Sequence, residues 1–405
     1  MRHSEKRILT THAGSLSRPN DLIELNRRRA AGEAIEPAAY AQLLAASVSD
    51  VVRKQRELGI DIPNDGEFGK PMAASYDYGV WWNYAFARMS GFVPADRVPE
   101  TQHKRSSVAD LALATISNRR DWIRFSEFYR DPESTGALLG SAARRPTRRP
   151  VCTGPIEYVG HAAVQADIAN LKQAMAMAGV EEGFITSVSP GSFARGEDLH
   201  YKNEEEFVYA SAEAMREEYK AIVDAGLVLQ IDDPSLPDNW DLVNPEPPLR
   251  EFKKFERVRI DALNHALRGL PAEHIRYHIC WGSWHGPHTT DIPLADIVEP
   301  GKVLIPGVVS HATNIVEHPQ VVADRIVRYA RVIGRENVIA GTDCGLGGRV
   351  HPQIAWAKLA ALAEGAKLAS KELWPRRPAR ARGARSARPA RAGARARRSK
   401  RPARA

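Results

Sequence analysis

The chain has 405 residues, of which 43% are hydrophobic, and a formal net charge of +8, enough material for one large barrel or two ordinary domains around a sizeable core. Residues 375–405 hold twelve Arg, one Lys and no acid, so taking their +13 from +8 leaves −5 for the rest and no charge signature for nucleic acid in the body. No run approaches the roughly 18 apolar residues of a membrane helix, and the first twenty residues lack a signal-peptide core, so a cytoplasmic location without membrane contact is expected.

In chain order, the first β-rich run is 8–12, passing into Thr11-His12-Ala13-Gly14-Ser15. A helical pattern over 40–58 leads to a second run, 60–66, which closes in Asn64-Asp65-Gly66-Glu67. Residues 68–183 are too long for a simple loop. They are rich in Tyr76, Tyr78, Trp81, Trp82 and Tyr84, carry a helical pattern over 166–177, and are expected to form a cap or hairpin layer over a barrel mouth. Strand patterns then recur at 184–188, 228–232, 275–280, 304–310 and 338–343, separated by amphipathic helical patterns over 204–225, 249–268 and 318–333 and followed by one over 353–373. That alternation predicts parallel βαβ units. The expected fold is an α/β, TIM-type (β/α)8 barrel lacking one βα unit, because seven strands are counted where eight normally close it. The Ala, Arg, Pro and Gly of 375–405 cannot offset their ordering entropy by burial, so this tail is expected to be disordered. Any role for it would be contact with nucleic acid or anionic lipid, which is not expected elsewhere in the chain.

The chemistry-bearing residues fall at strand ends. In a strand, residues two apart share a face, so His278 and Cys280 project together, as a pair of zinc ligands would. Three scattered cysteines make no disulfide framework and leave thiols for other work. Cys344 follows the strand over 338–343 and can converge with that pair at a barrel mouth, although a small buried filler is an alternative. Asn64-Asp65-Gly66-Glu67 and Ile231-Asp232-Asp233-Pro234 bring carboxylates to the same rim, suited to an ammonium group or, alternatively, to helix N-termini. His311 closes the strand over 304–310 as a potential proton donor or acceptor. Trp281, Trp284, His285 and His288 follow the His278 strand, where they could shield a site or pack on the barrel top.

Together these motifs resemble the cobalamin-independent methionine synthase family, in particular its short single-barrel relatives, over about residues 10–374. The resemblance rests on Ala13-Gly14-Ser15, on residues 52–61 leading to Gly66-Glu67, on Ile231-Asp232-Asp233-Pro234, on His278-Ile279-Cys280, on His311, and on Asp343-Cys344-Gly345-Leu346. It implies a zinc-dependent S-methyltransferase acting on homocysteine, with His278, Cys280 and Cys344 as zinc ligands. It further implies that Glu67 and Asp232 hold the amino-acid part, that Ser15 meets its carboxylate, and that His311 assists proton transfer. The methyl donor would be methyltetrahydrofolate or a corrinoid. The family's fourth ligand is a glutamate on a βα unit for which this sequence has no room between Glu299 and Val303; Glu299, His285, His288 or water would have to replace it. Alkyl transfer to another thiol such as coenzyme M, or a decayed barrel without catalysis, are the alternatives. The resemblance makes residues 1–374 the zinc barrel.

Overall fold

The computed structural model describes residues 1–76, 79–99, 119–131, 150–283, 285–297 and 303–375. Tyr78, Trp284, Glu299, much of the 68–183 stretch and residues 376–405 lie outside the described residues, so the expectations placed on them are left there. The strands are β1 (Leu9–Thr10), β2 (Phe92–Val93), β3 (Val151–Cys152), β4 (Phe184–Val188), β5 (Val228–Asp232), β6 (Ile275–His278), β7 (Gly307–Val309) and β8 (Ile339–Thr342). Two parallel sheets run β1-β8-β7 and β4-β5-β6, and β2 pairs with β3 antiparallel within the 68–183 stretch.

The predicted strand at 60–66 is not a regular strand, and the reason is chemical. Thr10 O accepts from both Asp61 N and Ile62 N, and Phe184 N donates to Pro63 O, so the segment bridges β1 to β4. Asn64, however, is held by a helix side chain: Gln55 Nε2 donates to Asn64 O at 2.7 Å and Gln55 Oε1 accepts from Asn64 N at 3.1 Å. The same Oε1 lies 2.7 Å from His12 Nε2. With Gly14 N donating to His12 Nδ1 at 3.2 Å, the ring is assigned as the neutral Nε2–H tautomer. Burial agrees with this, since it drives the His12 pKa down to about 4 against the raising effect of Gln55. Backbone groups that a ladder would pair are thus satisfied by one buried amide.

Counting this segment, seven positions follow one another as β7, β8, β1, 60–66, β4, β5 and β6. Among the described residues no strand pairs β6 with β7, and between them stands one short 3₁₀ turn, Leu294–Asp296. The outer layer is helical. Pro37–Leu58 packs against His161–Ala178 and Pro352–Leu373, while Glu204–Asp224 packs against Leu249–Ala266 and His161–Ala178. Pro37–Leu58 shows why such a segment is a helix: Glu36 caps the Ala39 N–H, Pro37 occupies the first turn, and Gly59 ends it at φ 92°. Its apolar stripe, Leu44, Val48, Val51 and Val52, faces the core. The helix His161–Ala178, at the end of the 68–183 stretch, therefore belongs to this outer layer rather than to a cap. No helix among the described residues is long and apolar enough to cross a membrane.

The candidate metal and substrate site

The C-terminal ends of the central strands carry the site. β6 ends in His278, and Cys280 follows two residues later; the loop after β8 presents Cys344. The ligand atoms of His278, Cys280 and Cys344 all lie within 4.8 Å of one another, and the two sulfurs are 3.9 Å apart. Sulfurs bound to one tetrahedral zinc at the usual Zn–S length stand about 3.8 Å apart, so the donor set fits that ion. Both sulfurs are buried. Their mutual hydrogen bond holds Cys344 toward thiolate against the opposing effect of burial, helped by His311, His278 and Arg349, and it pushes the Cys280 thiol up. A thiolate beside imidazoles is the state that binds a metal.

Asp232 orients His278. His278 Nδ1 donates to Asp232 Oδ1 at 3.0 Å, and Gln230 Nε2 donates to the same oxygen at 2.6 Å while reaching Ala13 O at 2.7 Å. Burial works against the charged His278 ring, but Asp232 and then Cys344 raise its pKa to about 9. A carboxylate behind Nδ1 is the arrangement that leaves Nε2 for a metal; here Nε2 lies 3.3 Å from Asp343 O. The sequence had suggested an ammonium group or a helix N-terminus as partner for the Asp232 carboxylate; the structure adds His278.

His311 is built in the same way. Its backbone N–H and its Nδ1 both donate to Asp343 Oδ1, at 2.7 and 2.9 Å, while Nε2 is buried with no hydrogen-bond partner. Burial opposes its charge, yet Asp343, with Cys344 nearby, raises its pKa. Gly307 makes this packing feasible: a Cβ there would lie 2.7 Å from the Asp343 backbone nitrogen and closer still to its Cα.

Glu67 and Ser15 complete the rim. Asn64 Oδ1 accepts from Gly66 N and Asp65 Oδ1 from Glu67 N, a pair of side-chain turns that places Glu67 at φ 61°, rare for a residue with a side chain. The Glu67 carboxylate lies against Gly14, where an added Cβ would be 2.7 Å from Oε1. Its Oε2 is buried without a hydrogen-bond partner. Ser15 O accepts from Leu346 N and Gly347 N, and Ser15 packs on Gly345, so the first strand end is fastened to the Cys344 loop. Arg18 bonds Ser15 Oγ and Glu67 O, tying the two turns together.

All seven residues picked from sequence therefore stand at strand ends or in the loops directly after them. Of the flanking candidates, His288 pairs with Asp291 at 3.1 Å, His285 is hydrogen-bonded to the His311 backbone, and Trp281 donates to Ile292 O within an apolar cluster with Trp240 and Phe252. None of these three belongs to the ligand cluster. Sequence reasoning missed Lys70, Thr186, Gln230 and Asp343. A signal existed for two of them, because Thr186 and Gln230 are polar residues in the middle of mostly apolar, buried strands.

No protein-family model matches the chain. It is 29% identical over 210 residues, 47% of its length, to the methionine synthase of Saccharolobus solfataricus, and 28% identical over the same span to that of Saccharolobus islandicus. The match covers 59% of those proteins, so the chain spans about three fifths of the length of the curated relatives it matches. The uncharacterized protein YxjH of Bacillus subtilis is 22% identical over 403 residues, covering 86% of this chain and 91% of that one. In fold the chain is similar to a B12-independent methionine synthase from Shewanella sp. W3-18-1 in complex with selenomethionine, with a TM-score of 0.62, 20% identity and coverage of 91% and 99% of the two chains. It is also similar to the putative B12-independent enzyme of Listeria monocytogenes, with a TM-score of 0.58, 17% identity and coverage of 89% and 98%. Fold likeness and the observed parallel sheets agree on the α/β class.

Proposed function

We infer that this chain, which belongs with the cobalamin-independent methionine synthase family, is a zinc-dependent methyltransferase acting on the sulfur of homocysteine. The observation that carries the reading is the convergence of His278, Cys280 and Cys344 within 4.8 Å at the strand ends. A zinc ion held there supplies Lewis acidity that lowers the pKa of a substrate thiol, making it nucleophilic at neutral pH. His278, Cys280 and Cys344 would hold the ion as three protein ligands, the number found at catalytic zinc sites, which leave a position for water or substrate.

The chain's own residues do the rest. Glu67 and Asp232 present carboxylates to the ammonium of an amino-acid thiol, and Ser15, fastened to the Cys344 loop, meets its carboxylate. These acids favour homocysteine over a thiol without an amino group such as coenzyme M. His311 Nε2, buried and held in orientation through Asp343, takes or returns the proton beside the reacting sulfur. The methyl donor is methyltetrahydrofolate or a corrinoid. Catalysis is assigned to residues 1–374, with the part of the 68–183 stretch before the helix His161–Ala178 as cap and the basic tail dispensable. Closure as a (β/α) barrel one βα unit short is part of the same reading, supported by the seven successive positions and by the absence of a β6–β7 pair among the described residues.

The test is zinc content and methyl transfer in the purified protein, beside Cys344→Ser. About one zinc per chain, lost in the variant, with homocysteine methylated from one of the two donors, is expected. A folded protein that takes up no zinc refutes the reading.

A further inference from the structure

Glu67 is held by a device the metal chemistry does not use. Thr186, in the middle of β4, donates its hydroxyl to Glu67 Oε1 at 2.6 Å. The same hydroxyl accepts from Lys70 Nζ at 2.6 Å, and Lys70 Nζ is itself 3.4 Å from Glu67 Oε1. An ammonium can only donate, so Lys70 fills the acceptor side of the hydroxyl and leaves its single proton for Glu67. All three side chains are buried. Lys70 is fixed in turn by its position 4.3 Å above the Tyr84 ring and by its backbone N–H, which donates to Glu67 O at 3.0 Å.

The arrangement is one-sided. Oε1 is pinned on the Lys70–Thr186 side, whereas Oε2 is buried without a partner. A carboxylate oxygen left so is costly unless a cation arrives to meet it. The pinned side of the carboxylate is also the side packed on Gly14, where an added Cβ would lie 2.7 Å from Oε1, and Gly14 is one residue from Ser15, which packs on Gly345 next to Cys344. The left-handed backbone at Glu67 is the strain expected where a side chain must be aimed rather than merely accommodated.

We propose that Lys70 and Thr186 are positioning residues that lock one oxygen of Glu67 so that the other recognises the ammonium group of an amino-acid thiol. The inference rests on the thiol methyltransferase reading and sharpens it, by making discrimination for the amino group depend on two residues that never touch the substrate.

The experiment measures dissociation constants calorimetrically for homocysteine and for 4-mercaptobutyrate, which lacks only the amino group, on the zinc-loaded full chain. Lys70→Met and Thr186→Val are each expected to weaken homocysteine binding at least about tenfold while leaving 4-mercaptobutyrate within about twofold. Lys70→Arg and Thr186→Ser, which keep the charge and the hydroxyl, are expected to restore most of the homocysteine affinity. Thermal midpoints identify a variant that does not fold, and the conservative pair then carries the test: a loss with Lys70→Arg and Thr186→Ser equal for both ligands overturns the proposal. So does an unchanged homocysteine affinity in Lys70→Met. A wild-type protein that binds both thiols equally overturns the ammonium assignment but leaves thiol binding standing, whereas one that binds neither overturns the methyltransferase reading and this inference with it.

Discussion

Replacing Glu256 by Gln changes how stability depends on pH, and the structure fixes both the sign and the scale. Glu256 lies on the helix Leu249–Ala266, fully buried, and Asn239 Nδ2 donates to its Oε1 at 2.8 Å. Burial is the largest influence on it; Arg259, Asn239 and Arg195 oppose, Asp233 reinforces, and the result is a pKa raised from 4.5 to about 8. An acid whose folded pKa is raised holds its proton more tightly in the folded state. Its contribution is therefore neutral below the unfolded value and becomes a growing loss of stability as pH rises toward about 8, beyond which the loss levels off. At about 1.4 kcal/mol for each step of one pH, the full interval corresponds to about 4 to 5 kcal/mol. Gln keeps an oxygen for Asn239 and cannot ionise. Urea titrations followed by circular dichroism should then give similar midpoints for wild type and Glu256→Gln at pH 5, and a variant more stable by about 2 to 5 kcal/mol at pH 9. A difference that does not change with pH, or one that favours the wild type as pH rises, refutes the argument.

Asp232→Asn should weaken zinc binding about 10- to 100-fold, because Asp232 orients the His278 ring; competition against a chromogenic chelator measures it, and unchanged affinity would leave Asp232 to the substrate alone. Gly307→Ala places a methyl group against the Asp343 backbone, and should cost about 1 to 3 kcal/mol in chemical denaturation together with a loss of methyl transfer through His311. A variant of full stability and activity would show that β7 and the Cys344 loop separate without consequence.

The sequence was most readable where one residue type can do the chemistry and the strand ends do the aiming. His278 and Cys280 converge although β6 stops at His278 and Cys280 lies two residues beyond that end, and Cys344 joins them because parallel strands deliver their ends to one rim. β4 and β5 were bounded to the residue because both are short, mostly apolar runs, each with two polar residues. The strand expected at 60–66 failed for a reason no local pattern contains: its backbone partner is Gln55, a polar residue buried on a helix, visible only once helix and strand are packed. Lys70 was hidden likewise, since its meaning comes from Thr186, 116 residues away. Asp232 was read as a rim acid for substrate, and its bond to His278 depends on the β5–β6 register that sets the two opposite each other.

The amide of Gln55 has a further implication. A segment sewn into a sheet by ladder bonds must keep its pleat to the last paired residue, and its side chains can only alternate. Held instead by a side chain from the helix before it, Asn64 ends its pairing early, and the next three residues are free to curl through two left-handed conformations and turn Glu67 back over the strand ends. The helix is in effect a jig for the turn. Sequence change at position 55, twelve residues before Glu67, is therefore a route by which this architecture could re-aim the Glu67 carboxylate without altering the residues of the Glu67 turn itself.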